Sequence, residues 1–464
     1  MYGLGGIISK IIPLVMVPIV TRIMPTTDYF GVSDLSNTVV QFGTALAIMG
    51  MYDAMYRMFF EKDDDAYKRT VCSTALTFTI ITSLAVFIAM LLCRDLIAQY
   101  FFSNRKYANV VYLSAMATLV GATNGIISAP TRMQNKRKIF LVTNTVGPVL
   151  SYSISIPMLL AGHYLIALPL AAVISGAVME LTFGILNHKW FDIRLFDFGL
   201  LKQLLVIAIP LLPNFLIYWV FNSCDKLMIT NMLGIGAAGI YSVGSKLGNT
   251  SQLIYTAFAG GWQFFAFSTM KEENQVESNS RIFEYLGVIS YTATAFVCAW
   301  SFVIFKVLFT ADYLEGYIVA PYLFLAPLLQ MLFQVAANQF LVVKKTWPNM
   351  FILSLGALMN IAINYYLIPL IGIEGASLAT LAGYVISVII CVIVLCKMKI
   401  MVVSVKFIAA TMSMTGFVIV WRLLLSDKTI IATLAALSLT VILAAIYRED
   451  LRSFKKMITG KQRS

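Results

Sequence analysis

The sequence predicts an all-α integral membrane protein of about fourteen transmembrane helices, built as two pseudo-repeated six-helix lobes plus two C-terminal helices. Three observations predict it. Of the 464 residues, 59% are hydrophobic and only 12% charged, and mean hydropathy is +0.84. A soluble protein of this length cannot bury so much apolar surface. The apolar residues also gather into runs close to the roughly 20 residues that a helix needs to cross hydrocarbon. Finally, the chain repeats itself. Tyr29–Thr38 aligns with Tyr241–Thr250 at an offset of 212, with Tyr, Ser, Leu, Asn and Thr in register. Gly162–Ala167 corresponds to Gly372–Ser377 at an offset of 210. The near agreement of the two offsets points to a duplicated helical unit of about 210 residues.

The first six predicted spans lie near Gly3–Arg22, Val39–Phe60, Val71–Cys93, Val110–Ala129, Ile139–Ala161 and Leu165–Leu186. The next six lie near Leu204–Met228, Ile240–Phe267, Ile282–Phe309, Val319–Val343, Met350–Ile371 and Gly375–Cys396. Val405–Leu425 and Ile430–Tyr447 stand outside the duplication. Residues 1–200 thus form an N-terminal lobe, 201–400 a C-terminal lobe, 401–448 two added helices and 449–464 a basic tail. The N-terminus enters an apolar run at once, without a basic region and cleavage site, which reads as a first span rather than a removed signal.

Orientation follows from lysine and arginine. With the N-terminus inside, 24 basic residues fall on the cytoplasmic side and 8 outside, so both termini are expected to be cytoplasmic. The same bias explains the net charge of +12 as topology and contact with anionic lipids, not nucleic-acid binding. The loops, of which His188–Lys202 and Lys271–Arg281 are the longest, are too short to fold as domains. The six cysteines show no Cys-x-x-Cys spacing, and His163 and His188 show no metal spacing. No Gly-x-x-x-x-Gly-Lys-Ser/Thr loop occurs. No cofactor is expected.

Charges and prolines within the spans are the candidate functional residues. Lys10 and Arg22 lie on the first span, Asp53 and Arg57 four apart on the second, Glu180 on the sixth. Asp225 and Lys226 close the seventh, Lys246 lies on the eighth and Glu374 opens the twelfth. Charge inside a membrane is costly and usually functional. Against that, Arg22, Arg57 and Glu374 could snorkel at helix ends, and Asp53–Arg57 could be a structural ion pair. Asn37, Gln41, Asn222, Asn249, Gln252, Gln334, Asn338, Gln339, Asn360 and Asn364 could line a wet cavity or bond helix to helix. Pro13/Pro18 and Pro210/Pro213 stand in the leading helix of each half, where they could act as hinges. Gly121-x-x-x-Gly125 and Gly244-x-x-x-Gly248 read as helix-packing positions.

Pro18-x-x-x-Arg22, Tyr29-Phe-Gly31 and Gly50-x-x-x-Ala54-x-x-Arg57-x-Phe59 together resemble the opening of the Wzx-type polysaccharide flippases. That family belongs to the multidrug/oligosaccharidyl-lipid/polysaccharide (MOP) exporter superfamily. Asp225-Lys-x-Met-Ile, Leu233-Gly, Gly239-Ile-Tyr-Ser-Val, Lys246-Leu and Trp262-x-Phe-Phe265 resemble the start of its second half. Gly372-Ile-Glu-Gly-Ala376 resembles its late Gly-x-x-Gly-Ala turn. Lys226 stands where arginine is more usual, which weakens a bidentate phosphate grip there. The count of fourteen spans is more like the lipid II flippase branch (MurJ).

The resemblance implies two six-helix lobes in a V around a cavity that opens alternately to either side of a bacterial cytoplasmic membrane. It implies a polyprenyl-pyrophosphate-linked oligosaccharide as substrate, with polysaccharide polymerase and chain-length proteins as possible partners. A pyrophosphate cannot cross hydrocarbon unaided, and Arg22, Arg57, Lys226 and Lys246, with Lys10, Asp53 and Asp225, could hold it in a partly cationic cavity. Three rivals remain. A cation-drug antiporter of the same superfamily would want acids in its cavity. A membrane enzyme would need positioned acid–base groups, and a scaffold would need no buried lysines.

Overall fold

The computed structural model describes residues 2–256, 258, 262, 269, 273–343, 345 and 347–452, with side chains from residue 10 onward. Every regular element among them is helical. Eleven of the described helices are long and apolar enough to cross a membrane, and the chain is a multi-pass membrane protein. By packing, the residues divide into two units, 1–242 with 364–373, and 243–363 with 374–464.

The first unit opens with α1 (Tyr2–Ile23), which runs unbroken through Pro13 and Pro18. The helix that follows, α2 (Thr27–Ile48), begins well before the predicted Val39. Asp28, Ser33, Asp34 and Ser36 depress the hydropathy of its first turns. Yet Ser33, Asp34 and Ser36 are buried in protein rather than lipid, so the chain stays helical there. Met49 and Gly50 are left-handed (φ 49° and 76°) and end α2 before α3 (Met51–Phe59). Gly50 is required at that break: a Cβ would lie 2.6 Å from the Ala208 carbonyl oxygen.

Asp64 accepts from the Ala66 and Tyr67 amides and so caps α4 (Asp65–Leu92). A short α5 (Arg94–Phe102) occupies what the sequence predicts as loop. Three long helices follow, α6 (Ala108–Met133), α7 (Arg137–Leu160) and α8 (Ala167–Asn187). α6 is the centre of this unit and packs on α2, α4 and α8, while α7 joins α1 to α8. Gly121 and Gly125 bring α6 to within van der Waals reach of Thr44 and Ile48 on α2, a packing role.

The predicted seventh span is longer than its apolar core, as the repeat suggests. Asp197 caps α9 (Phe198–Ala208) through the Leu200 amide. A 3₁₀ turn at Ile209–Leu211, carrying Pro210, leads into α10 (Leu212–Leu233). Of the four prolines expected to act as hinges, only Pro210 marks a break between helices. Pro213 stands in the first turn of α10, where its missing N–H has no carbonyl to serve and its fixed φ starts the helix. Pro210 and Pro213 thus both stand where α9 passes into α10, within one long apolar span. Pro13 and Pro18, inside a continuous α1, are not sites of a break either.

Gly234 (φ 98°) turns the chain into α11 (Ile235–Gly248). In the remainder of the predicted eighth span, residues 257, 259–261 and 263–267, with Phe264 and Phe265 among them, lie outside the described residues, as do Lys271, Lys344 and the tail beyond Arg452.

The second unit is organised by α12 (Gln275–Leu308), which packs on α13 (Gly316–Val342), α16 (Val405–Val420) and α17 (Thr429–Ile446). Between them run α14 (Trp347–Ile371) and α15 (Ile373–Lys397). The second glycine pair is again a packing device: a Cβ at Gly244 or Gly248 would meet the Gly316 or Ala320 carbonyl oxygen at 2.7 or 2.8 Å.

The duplication has structural counterparts. Gly162 (φ 87°) and Gly372 (φ 66°) make matching left-handed turns, between α7 and α8 and between α14 and α15. At the first echo, Gly31 and Gly239 face each other where α2 meets α11.

Candidate functional site

Gly31 on α2 and Gly239 on α11 make the crossing from which the charged centre is built. Each has the other helix's backbone where a side chain would begin: a Cβ at Gly31 would collide with the Ile235 carbonyl, and one at Gly239 with the Thr27 carbonyl. Only glycine permits so close an approach. Three residues beyond each glycine stand Asp34 and Ser242, and the Ser242 hydroxyl donates to Asp34 Oδ2 at 2.8 Å. Lys226 reaches the same oxygen from α10, Nζ to Oδ2 at 2.5 Å.

Asp225 and Lys226 are consecutive on α10, so they leave the helix about 100° apart. Asp225 therefore meets a different set of partners. Tyr241 OH donates to its Oδ2 at 2.6 Å and Asn364 Nδ2 to its Oδ1 at 2.7 Å. Both acids are almost wholly buried. Two carboxylates, one ammonium, two hydroxyls and an amide thereby tie α2, α10, α11 and the end of α14 together. Such a network is stabilising only while every member is satisfied.

Elsewhere the predicted site residues are arranged differently. Arg22 is exposed on the last turn of α1 and Lys10 is exposed midway along that helix. Asp53 and Arg57 are both exposed on α3, and among the described residues they form no ion pair within 4.0 Å. Nearby, Arg132 donates to the Tyr52 hydroxyl at 3.1 Å. Lys246 is half-buried on α11 and belongs to the second unit. Asn37 and Gln41 on α2, and Asn222 on α10, expose their amides near the middle of their helices.

Asp34, the partner of Lys226, carries a sequence signal of its own: an acid three residues after Gly31 in a run of small residues, where a helix crossing fits. Tyr241 and Ser242 lie in the repeated stretch Tyr241–Thr250, but the repeat by itself assigns them no contact.

A second charge cluster, built on the buried Glu374 and Glu284, anchors the added helices in the second unit. Arg422, on a π-turn over Trp421–Leu425, forms a bidentate pair with Glu374 on α15, Nε–Oε1 2.5 Å and Nη2–Oε2 2.7 Å. Tyr322 OH on α13 donates to the same carboxylate at 3.2 Å. At the other end of α16, Glu284 on α12 accepts from the Ser404 amide and hydroxyl, both at 2.7 Å, and from Tyr447 OH at 3.1 Å. Glu374 is therefore a partner within the fold rather than a snorkelling end charge.

A protein family described as "Polysaccharide biosynthesis protein" matches residues 19–317. A solved structure of the lipid II flippase MurJ, in an inward closed conformation, superposes with a TM-score of 0.71 at 15% identity, covering 97% of this chain and 99% of that one. An inward-facing MATE-family multidrug transporter of the MOP superfamily gives 0.63 at 13% identity, covering 86% and 94%. A mutant of the Vibrio cholerae MATE transporter VcmN gives 0.60 at 12% identity, covering 85% and 94%. At these identities the likeness is one of fold, that of the MOP transporters. No curated protein matches by sequence.

Proposed function

Because the chain belongs to the polysaccharide biosynthesis protein family, we propose that it is a flippase for a polyprenyl-pyrophosphate-linked oligosaccharide. On this reading it carries the head group from the cytoplasmic to the outer leaflet of a bacterial cytoplasmic membrane by alternating access, with both termini cytoplasmic. The observation that carries the reading is the set of polar side chains exposed midway along apolar helices: Lys10, Asn37, Gln41 and Asn222. A charge at mid-bilayer costs roughly 2.5–3.5 kcal/mol even on the mildest scale, so the exposed helix face that bears Lys10 is ill suited to lipid. Arg22 and Arg57 add two exposed bases in the same unit, against Asp53, and this excess suits an anion.

Lys226 takes a different part. Its ammonium is held by Asp34, so it contributes by fixing α2 to α10 and meets pyrophosphate only if that pair opens. Arg22, Arg57 and Lys10 are the head-group ligands of this proposal. The polyprenyl tail stays in lipid throughout, and only the sugar-pyrophosphate needs a polar path. Anionic lipids at the basic flank, a polysaccharide polymerase and chain-length proteins are its partners on this reading. The full-length likeness to a lipid II flippase supports a second substrate of the same chemical class.

The test is transport in vesicles loaded with either lipid-linked substrate. Arg22→Ala and Arg57→Ala should each lower it about tenfold, since one charge-assisted hydrogen bond contributes roughly 1.5–3 kcal/mol. Normal transport by both variants overturns the cationic-site mechanism. Export of a cationic dye with no movement of either lipid-linked sugar overturns the flippase reading in favour of an antiporter.

A further inference from the structure

A cavity of about 240 Å³ lies within the second unit, well away in sequence from the bases of the proposed head-group site. Tyr255, Phe258 and Trp262 line it together with Gln334 and Asn338 of α13. The three aromatics stand three and four residues apart in the sequence. The two amides are also four apart and share a face of α13. The Phe258 and Trp262 rings stack 5.7 Å apart at 18°. Tyr255 OH donates to Gln334 Oε1 at 2.6 Å, which orients that amide with its two N–H donors directed elsewhere. Asn338 supplies two more donors and an acceptor. Met331 and Val335 complete an apolar floor, and among the described residues none of the lining side chains carries a charge.

We propose that this cavity is a sugar subsite, which binds one neutral pyranose unit of the glycan; the proposal rests on the flippase reading above. A pyranose ring has an apolar C–H face and a rim of hydroxyls. The C–H face lies against an aromatic ring, as other apolar groups do, and the rim hydroxyls pair with side-chain amides that both donate and accept. At about 240 Å³ the cavity falls below the ~300–1,000 Å³ typical of drug-sized pockets, a size that suits one ring better than a chain of sugars. A pyrophosphate is disfavoured, because the described lining offers no cation to offset its charge.

Saturation-transfer NMR on the full-length protein in nanodiscs tests this, with the mixture of glycans released by mild acid from the host's own lipid-linked pool as probe. Wild type should transfer saturation to pyranose ring C–H protons. Trp262→Leu and Asn338→Leu should each weaken the effect at least fivefold while eluting as monodisperse protein. Asn338→Leu is the decisive variant if Trp262→Leu fails to fold. Equal signals in wild type and Asn338→Leu, or none in wild type, overturn the subsite. Binding of a rhodamine dye that the glycans do not displace and Asn338→Leu leaves unchanged, with no glycan signal, overturns it as well. Asn338-dependent glycan binding by a protein that moves no lipid-linked glycan in vesicles supports the subsite and defeats the flippase reading instead.

Discussion

Asp34 and Lys226 lie 192 residues apart in the chain and meet at 2.5 Å between α2 and α10, with side chains only 4% and 16% exposed. Each charge leans on the other, because taking either out of water costs several kcal/mol, most of which the opposite charge offsets. Lys226→Met should therefore destabilise by about 3–5 kcal/mol, the usual penalty for breaking a buried pair from one side. Asp34→Asn should do similar damage. The double variant Lys226→Met/Asp34→Asn removes both charges and should regain most of the loss. Thermal unfolding in detergent reads all three, and a double variant no better than the singles would refute the pairing.

The crossing at Gly31 and Gly239 makes a sharper steric prediction. In each case the obstacle to a Cβ is backbone carbonyl of the other helix, which cannot rotate away. Gly31→Ala and Gly239→Ala should each separate α2 from α11 and pull Ser242 off Asp34. The cost should reach or exceed the ~1–3 kcal/mol usual for overpacking, with low yield of monodisperse protein. Gly184 on α8 has open space around it and Gly184→Ala should behave as wild type. Equal yields from all three variants would contradict the crossing.

What the sequence revealed tracks how local each signal is. Hydropathy and the Gly162/Gly372 echo are read along one helix or one turn, and both spans and turns were legible. The start of α2 was not, since window hydropathy treats Asp34 as solvent-loving, while in the fold it is buried against Lys226. Prolines were visible too, but Pro210 falls between helices and Pro213 just inside one, a distinction of three residues that no apolar run resolves. Ionisable residues inside spans were equally plain, though their partners were not. Asp53 and Arg57 have ideal helical spacing yet stay apart on an exposed face, where an ion pair gains little. Lys226, by contrast, finds an acid on another helix. Pairing across helices depends on rotation and register, and no periodicity encodes these directly.

The bidentate Arg422–Glu374 pair should hold α16 to α15 through geometry as well as charge. Lysine keeps the charge but cannot present the planar fork that matches both carboxylate oxygens. Arg422→Lys should lower the unfolding temperature measurably, and Arg422→Ala more, because it leaves Glu374 with only Tyr322 as a donor in this cluster. Arg422 is itself partly exposed (37%), so the loss should stay below that for Lys226→Met. A Lys variant as stable as wild type would show that charge alone suffices.

The orientation of the chain yields the last test. Asn104 caps a short 3₁₀ turn through the Lys106 amide in the connection between α5 and α6. Lys136 lies at the turn between α6 and α7. One traverse of α6 separates them, so they must lie on opposite sides of the membrane. The excess of lysine and arginine, 24 against 8, predicts a cytoplasmic Lys136 side, because positively charged loops resist translocation. Single cysteines at each position, in a background lacking the six native ones, should report this directly. Asn104→Cys should react with an impermeant maleimide in intact cells, and Lys136→Cys only after lysis. The reverse pattern would invert every loop and place the basic flank outside. Labelling of both in intact cells would mean that α6 does not cross, and the helical repeat built around it would fail with it.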